Sequence, residues 1–380
     1  MPPLWYVVRS MFSLDNRQLG LLMMLSVLIT NLGQPIFGYL TDRFRWRNVV
    51  GLGVFISVVF TCTVGFMPNV WLFAAALVLA GVGTALFHPQ GGGLAAHASG
   101  QRRAFGMSIF ALGGAVGYAV GALAGPMLHR LGERVGLGPL QGFIFALPLG
   151  VLLAYILHVF TGSYQVAAAK SSFHLRVHLL PYWRQLTPVF VVMVLRAVTV
   201  VAYGGFFQVL VGDRGLSVYH QGLVLFSFAF GGALGGMLAA RFSELWGARF
   251  ITAVTLLLSP PLLYYAVYAP FAAGVVLLFL AGVMVRGGEP VNIAQTQDLL
   301  PHGVSMASSI GMGLTWGVAG VATPLVGWIS DYTGSLAYAI VLTAVLPIPA
   351  AVIAWAAPVA RLQKSSPTDV PSDDDCTRRS

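Results

Sequence analysis

Residues 38–47 read GYLTDRFRWR, and residues 240–249, 202 positions later, read ARFSELWGAR. Both are short charged segments that follow long apolar ones, and the alignment sets Asp42 opposite Glu244. Three more matches hold the register to within one residue: His88-Pro89 with Glu289-Pro290, Ser108 with Ser309, and GPMLHRLG (125–132) with GWISDYTG (327–334). Four matches at one offset mark a duplicated unit. The second copy fixes what the first should contain.

What the unit contains follows from composition. Of 380 residues, 57% are hydrophobic and 9% are charged, and the mean hydropathy is +0.81; a soluble domain would carry roughly a quarter charged residues. Uncharged stretches run over 18–41, 48–101, 104–129, 135–169, 215–240, 250–285, 299–330 and 332–360. Each is long enough for one or two membrane helices of about 20 residues. Pro68-Asn69 and Ala269-Pro270 divide the two longest stretches, as such dipeptides do at the water boundary. The reading is eleven complete spans, near 18–41, 48–66, 70–96, 104–128, 140–160, 186–211, 217–240, 249–268, 271–297, 304–329 and 335–357. Residues 1–10 form a stub, the outer end of a first helix.

The fold expected is therefore an all-α membrane protein of two six-helix bundles with the first helix truncated. An N-terminal bundle covers 1–160, a cytoplasmic linker 161–185, a C-terminal bundle 186–360 and a disordered tail 361–380. Basic residues set the orientation, since short cytoplasmic loops are enriched in Lys and Arg. Arg43, Arg45, Arg47, Arg102, Arg103, Lys170, Arg176, Arg184, Arg241, Arg249 and the tail fall on one side; Arg9, Arg17, Arg130, Arg134 and Arg214 fall on the other. The first side is cytoplasmic, and the expected location is the cell inner membrane. The net charge of +9 is loop charge of this kind, so no nucleic-acid partner is expected. Cys62 and Cys376 are too few for a disulfide framework or a cysteine metal site, and no metal or cofactor is expected.

Two parallel six-helix halves, with Gly38, Leu40, Asp42, Arg43 and Arg47 at the inner end of the second helix, resemble the major facilitator superfamily. The resemblance implies a cytoplasmic gate in which Asp42, Arg43 and Arg47 latch the halves together, with Glu244 and Arg249 in the second copy. Phe44-Arg45 stands where that motif usually has glycine. LFHPQGGG (86–93) and SIFALGGAVGYAVG (108–121) further resemble the fosmidomycin-resistance branch of drug exporters, although Ala122 replaces an expected proline.

Candidate functional residues are the charges that a membrane tolerates least. An ionised side chain at mid-helix costs at least about 2.5–3.5 kcal/mol, and only Arg196, Arg286 and Glu289 lie well inside spans. Arg286 and Glu289, three apart on one helix, fit a structural ion pair; they equally fit a proton site, Glu289, beside a cationic neighbour. His88 is the counterpart of Glu289 in the first half, and imidazole titrates near physiological pH. Asn292 and Thr296 follow Glu289 on one helical face, and Asn31 and Gln34 offer polar groups on the second span. Pro89 and Pro290 each deprive a carbonyl of its helical donor, which marks the broken helices where transporters bind substrate. Gly113, Gly114, Gly117 and Gly121 are read as a surface for close helix packing.

The function expected is secondary active transport by alternating access, with proton-coupled export of a small drug-like or anionic compound. Proton-coupled uptake of an organic anion is one alternative, and a membrane sensor or scaffold that transports nothing is another. No enzyme is expected: G-x-x-x-x-G-K-S/T is absent from the sequence, and His88 has no serine or cysteine that the sequence places beside it. The partners expected are lipid, protons and a small-molecule substrate, with the chain acting as a monomer.

Overall fold

The computed structural model describes residues 4–44, 48–98, 103–161, 182–300 and 309–356. Among them every element is helical, as hydrocarbon requires, because only a helix or a closed barrel satisfies each backbone N–H and C=O internally. In order these are α1 (Trp5–Met11), α2 (Asn16–Phe44), α3 (Val49–Thr63), α4 (Val70–Ala98), α5 (Arg103–Arg134), α6 (Leu147–Thr161), α7 (Trp183–Asp213), α8 (Val218–Trp246), α9 (Ala248–Tyr268), α10 (Phe271–Leu299), α11 (Thr315–Gly320), α12 (Thr323–Thr333), α13 (Leu336–Thr343) and α14 (Pro347–Ala356). Nine described segments are long and apolar enough to cross a membrane, against eleven expected. α2 and α5, of 29 and 32 residues, have the length, about 43 and 48 Å at 1.5 Å per residue. Most of the expected linker, and the whole expected tail, lie outside the described residues.

Helix boundaries repeat as the sequence does. α8 begins and ends 202 positions after α2 (16 to 218, 44 to 246), and α10 begins and ends 201 positions after α4 (70 to 271, 98 to 299). The same neighbours touch in each set, α2 with α4 and α8 with α10. Glycine makes the second contact close: a side chain on Gly231 would collide with the Phe279 carbonyl, one on Gly235 with the Val283 carbonyl, and one on Gly282 with the Phe228 carbonyl. Helices in lipid gain little by hiding apolar surface from one another, so such backbone approach is what joins them.

The packing glycines expected on α5 are a different matter. A Cβ on Gly113, Gly114, Gly117 or Gly121 would meet nothing within 4 Å, so this face looks into open space. Period-four glycine reports a smooth face, and only the neighbouring helix decides whether that face is covered. Gly235→Leu is therefore expected to lower the melting temperature of the purified protein, by the equivalent of at least the ~1–3 kcal/mol typical of overpacking. Gly117→Leu should leave it unchanged. Equal effects would overturn this division of the glycines.

The expected helix breaks are also corrected. α4 and α10 continue as helix through Pro89 and Pro290; each proline removes one hydrogen bond, and the Pro290 ring is accommodated beside Gly236. Interruptions fall elsewhere. A π-helical turn over Ser309–Leu314 precedes α11, and Val321-Ala322 separates α11 from α12. Pro324 and Pro347 lie in the first turns of α12 and α14, where a missing N–H costs nothing.

The largest cluster of buried side chains joins the two sets of helices. It includes Leu4 and Val8 of α1, Leu19 and Met23 of α2, Phe73 of α4, Phe206 and Leu210 of α7, Leu263 of α9, Leu278 of α10 and Ile340 of α13, and it lies toward the end that carries Arg9. Toward the Arg249 end, buried groups are small and stay within the second set, as with Leu186, Leu299 and Leu300, or Ala239, Ile251 and Val291.

Hydrogen bonds between the sets gather at the Arg9 end too. The first amides of α2 have no partner within their own helix. Asp331 of α12 reaches across to accept from the Asn16 N–H at 3.1 Å and the Arg17 N–H at 2.8 Å. Asn16 Nδ2 donates to Ser330 Oγ at 3.0 Å, and Arg9 donates to Asn16 Oδ1 at 3.0 Å while pairing with Asp213 of α7. Gly327 permits this approach, because a side chain there would strike the Asn16 carbonyl. Thr323 Oγ1 donates to the Gly20 carbonyl at 2.9 Å one turn deeper. This clasp ties α1, α2, α7 and α12 together at one end of the molecule.

Candidate functional site

Glu289 lies ten residues from Leu299, about 15 Å along α10 at 1.5 Å per residue. Helical spacing puts Arg286 one turn before it on the same face. Arg286 Nε is 3.9 Å from Glu289 Oε2, with side-chain exposures of 23% and 18%. Charge-assisted hydrogen bonds between such groups run about 2.7–2.9 Å, so this pair is loose. Arg286 Nε has no hydrogen-bond partner among the described residues. The other carboxylate oxygen explains the looseness: Trp316 Nε1 of α11 donates to Glu289 Oε1 at 3.0 Å, drawing the carboxylate aside. The Arg286 guanidinium sits 5.8 Å from the centre of the Trp316 ring, within cation–π range. Gly232 of α8 leaves room for it, since a Cβ there would press on Arg286 Cδ and Nε.

The cluster faces the first set of helices. α11 runs along α2, with Gly317 against Leu32 and Gly320 against Val27. Arg286 lies within electrostatic range of Tyr118 on α5. Tyr118 is 45% exposed, and Gly114 and Gly121, four before and three after it, share its helical face. Across from a guanidinium and a carboxylate there is thus open space bounded by a glycine-lined helix and a phenol.

Other expected site residues are placed differently. Arg196 is 1% exposed, and Asn292 and Thr296 are each 2% exposed, inside the second set and not on the open space. Arg196 Nη1 donates to Asn292 Oδ1 at 3.1 Å, and Asn292 Nδ2 donates to Thr252 Oγ1 at 3.1 Å. Thr296 Oγ1 donates to the Asn292 carbonyl at 2.9 Å. Asn292 and Thr296 are turned toward α7 and α9, where Arg196, Met193 and Thr252 meet them, while Glu289 is turned toward Trp316 of α11. Asn31 and Gln34 donate to carbonyls on their own helix, Val27 at 2.8 Å and Thr30 at 3.0 Å. His88 lies edge-on to Phe110 of α5 at 6.3 Å between ring centres, well supplied with apolar contact.

At the gate motif, Asp42 and Arg43 fall in the last turn of α2; their side chains, that of Gly38's neighbour Tyr39, and all of Arg47 lie outside the described residues, and nothing around Gly38 is described beyond its helical backbone. Glu244 pairs with Arg241 on its own helix at 2.7 Å, with both side chains exposed, and Arg249 donates to the Trp355 carbonyl within the second set. Trp316, Tyr118 and Asp331 were missed by sequence reasoning. For Trp316 a signal existed, because tryptophan favours membrane interfaces and this one stands mid-span between Gly313 and Gly317. Among the described residues no cluster of His, Cys, Asp and Glu could hold a metal ion.

Comparison with known proteins agrees with this architecture. The chain is 26% identical over 336 residues to the fosmidomycin resistance protein of Escherichia coli (strain K12), a match covering 86% of this chain and 81% of that protein. It is 23% identical over 360 residues to the uncharacterised MFS-type transporter YfnC of Bacillus subtilis (strain 168), covering 92% and 86%. Among solved structures it is similar to a bacterial homologue of the human lysosomal transporter Spinster in an inward-facing, occupied conformation, with a TM-score of 0.73, 17% identity and coverage of 94% and 92%. It is also similar to the nucleoside transporter NupG, with a TM-score of 0.72, 11% identity and coverage of 93% and 94%. The profile of the Major Facilitator Superfamily matches residues 1–210, more than half of the chain. The chain is therefore a multi-pass membrane transporter, not an enzyme, and belongs to the Major Facilitator Superfamily.

Proposed function

We propose that this transporter exports a small anionic or drug-like compound across the cell inner membrane by alternating access, coupled to protons through Glu289. The Arg286–Glu289–Trp316 cluster carries this reading: two ionisable groups held about 20 and 15 Å into a span, only 23% and 18% exposed, opposite an open glycine face. Such groups are expensive in a membrane and mark transport pathways. Export is the direction supported by the Escherichia coli relative, whose name states resistance to fosmidomycin.

With the arginine-rich loops taken as cytoplasmic, the Arg9 end is the outer end. The clasp of Asp331, Asn16 and Arg9 then supports an outwardly closed, inward-facing state. Gly38, Asp42, Arg43, Arg47, Glu244 and Arg249 would form the inner latch of the opposite state, and His88, Asn31 and Gln34 would line the pathway from the first set. The chain acts as a monomer, with lipid, protons and its cargo as partners and with no cofactor.

Expression in a fosmidomycin-sensitive bacterium is expected to raise the growth-limiting concentration severalfold, and Arg286→Gln should remove the protection. Unchanged sensitivity with well-folded protein in the membrane would refute export of that drug. A second reading, uptake of an organic anion with protons, is favoured by one observation: Arg286 Nε, 3.9 Å from Glu289 Oε2, has no hydrogen-bond partner among the described residues.

A further inference from the structure

The contact that closes the Arg9 end contains one group that works against it. Gly205 of α7 lies against Met23 Sδ of α2, and Gly212 lies against the ring of Tyr6 on α1. Gln208, three residues after the first and four before the second, shares their helical face. Every residue from Gly205 to Gly212 is buried, and Gln208 itself is 1% exposed. The cluster that joins the two sets here is apolar, with Val8, Leu19, Met23, Phe206 and Leu210 among its members. Gln208 Oε1 has no hydrogen-bond partner among the described residues. A carbonyl in that position gives up its hydration and gains nothing in return, so it makes the closed contact less favourable than an apolar side chain would.

Gln221 of α8 gives the comparison. It too is 1% exposed, with an oxygen that has no partner among the described residues, and its Nε2 reaches the Leu216 carbonyl at 3.5 Å. Tyr219, under the guanidinium of Arg130, and Gly222, against the Ala122 carbonyl, mark the face of α8 that meets α5. Helical spacing turns Gln221 away from that face and into its own set. Parting of the sets therefore leaves the surroundings of Gln221 as they are, but brings water to Gln208. The duplicated scaffold does not demand an amide at this point either, since the counterpart of Gln208, 202 positions earlier, is Tyr6.

We infer that Gln208 is a positioning residue of the transport cycle: its unpaired amide offsets part of the apolar contact and of the clasp, and so keeps the Arg9 end able to part and release cargo. This role rests on the proposal of alternating access, and adds what keeps the closed state from being too deep to leave. When the sets separate, water pairs the amide and the cost disappears. Gln208 and Asp331 then act on one balance with opposite signs.

The test uses the full-length chain lacking Cys62 and Cys376 and carrying Val8→Cys, at a position of α1 that is 0% exposed, in lipid vesicles. A charged maleimide added on the Arg9 side reacts only with molecules whose Arg9 end has opened, so its rate reads the open fraction even when that fraction is small. Gln208→Met, apolar and of similar length, should slow labelling by about fivefold or more, the factor that one unsatisfied buried group is worth at its lower limit, and should raise the melting temperature. Gln208→Asn keeps an amide and should label near the wild-type rate. Gln221→Met should raise the melting temperature and leave the labelling rate unchanged, because that amide is buried in both states. Added to Asp331→Ala, Gln208→Met should bring the faster labelling of that variant back toward wild type. Gln208→Leu guards against a misfit of the longer side chain. Labelling that is unchanged or faster in both Gln208→Met and Gln208→Leu overturns the inference, as does equal slowing by Gln221→Met, which would make the effect one of general stability. If Val8→Cys stays unlabelled in every variant, Gly327→Val included, the Arg9 end does not open, and the alternating-access reading falls together with the role of Gln208.

Discussion

Vesicles containing Glu289→Gln should move cargo by exchange yet fail to concentrate it in response to a pH gradient. Glutamine keeps the shape of the side chain and its oxygen still accepts from Trp316, which bonds Glu289 Oε1 at 3.0 Å, but it cannot take up a proton in this pH range. A gradient of one pH unit stores about 1.4 kcal/mol per proton, roughly a tenfold concentration ratio. Wild type should reach a ratio of that order, and the variant should stay at unity. Counterflow of labelled against unlabelled cargo controls for folding, since exchange needs only binding and the rocking of the two sets. Gradient-driven accumulation by the variant would move the proton site elsewhere, with His88 the next group to replace.

Asp331→Ala should open the Arg9 end. The carboxylate accepts from two solvent-accessible amides at the start of α2, at 3.1 and 2.8 Å, and such hydrogen bonds contribute about 0.5–1.5 kcal/mol each. Even the lower figure, counted for both bonds, shifts a two-state balance severalfold. Spin labels at Ser13, between α1 and α2, and at Tyr332 of α12, in a background lacking Cys62 and Cys376, would report the separation of the sets. The short-distance population should shrink in Asp331→Ala and disappear in Gly327→Val, whose side chain would strike the Asn16 carbonyl. Wild-type distance distributions in both variants would mean that the clasp does not hold this end closed.

Much of the architecture was legible because it rests on regularities of sequence. The offset of 202 that sets Asp42 opposite Glu244 reappears in the boundaries of α2 and α8, since a duplicated apolar pattern dictates a duplicated helix. The ion pair of Arg286 and Glu289 was legible because neighbours on one helix follow from spacing alone. What a face meets was not legible. Gly113 and Gly117 repeat at the period of packing glycines and face open space, whereas Gly231 and Gly235 on α8 carry the close contact with α10. Arg196 was expected on the pathway and is 1% exposed, bonded to Asn292 of α10, because burial depends on the neighbouring helix and not on position along α7. Nothing in the sequence marks Asp331 as part of a clasp, since its partners lie more than 300 positions away.

The clasp at the Arg9 end also sets a resting bias. A ligand shifts a conformational balance only by its difference in affinity for the two states, so cargo arriving at the closed end meets an apparent affinity lowered by the fraction of molecules that happen to be open. Loosening Asp331 should thus make the two faces of the membrane more alike to the cargo, and the sidedness of recognition becomes a property of an aspartate that the cargo never touches.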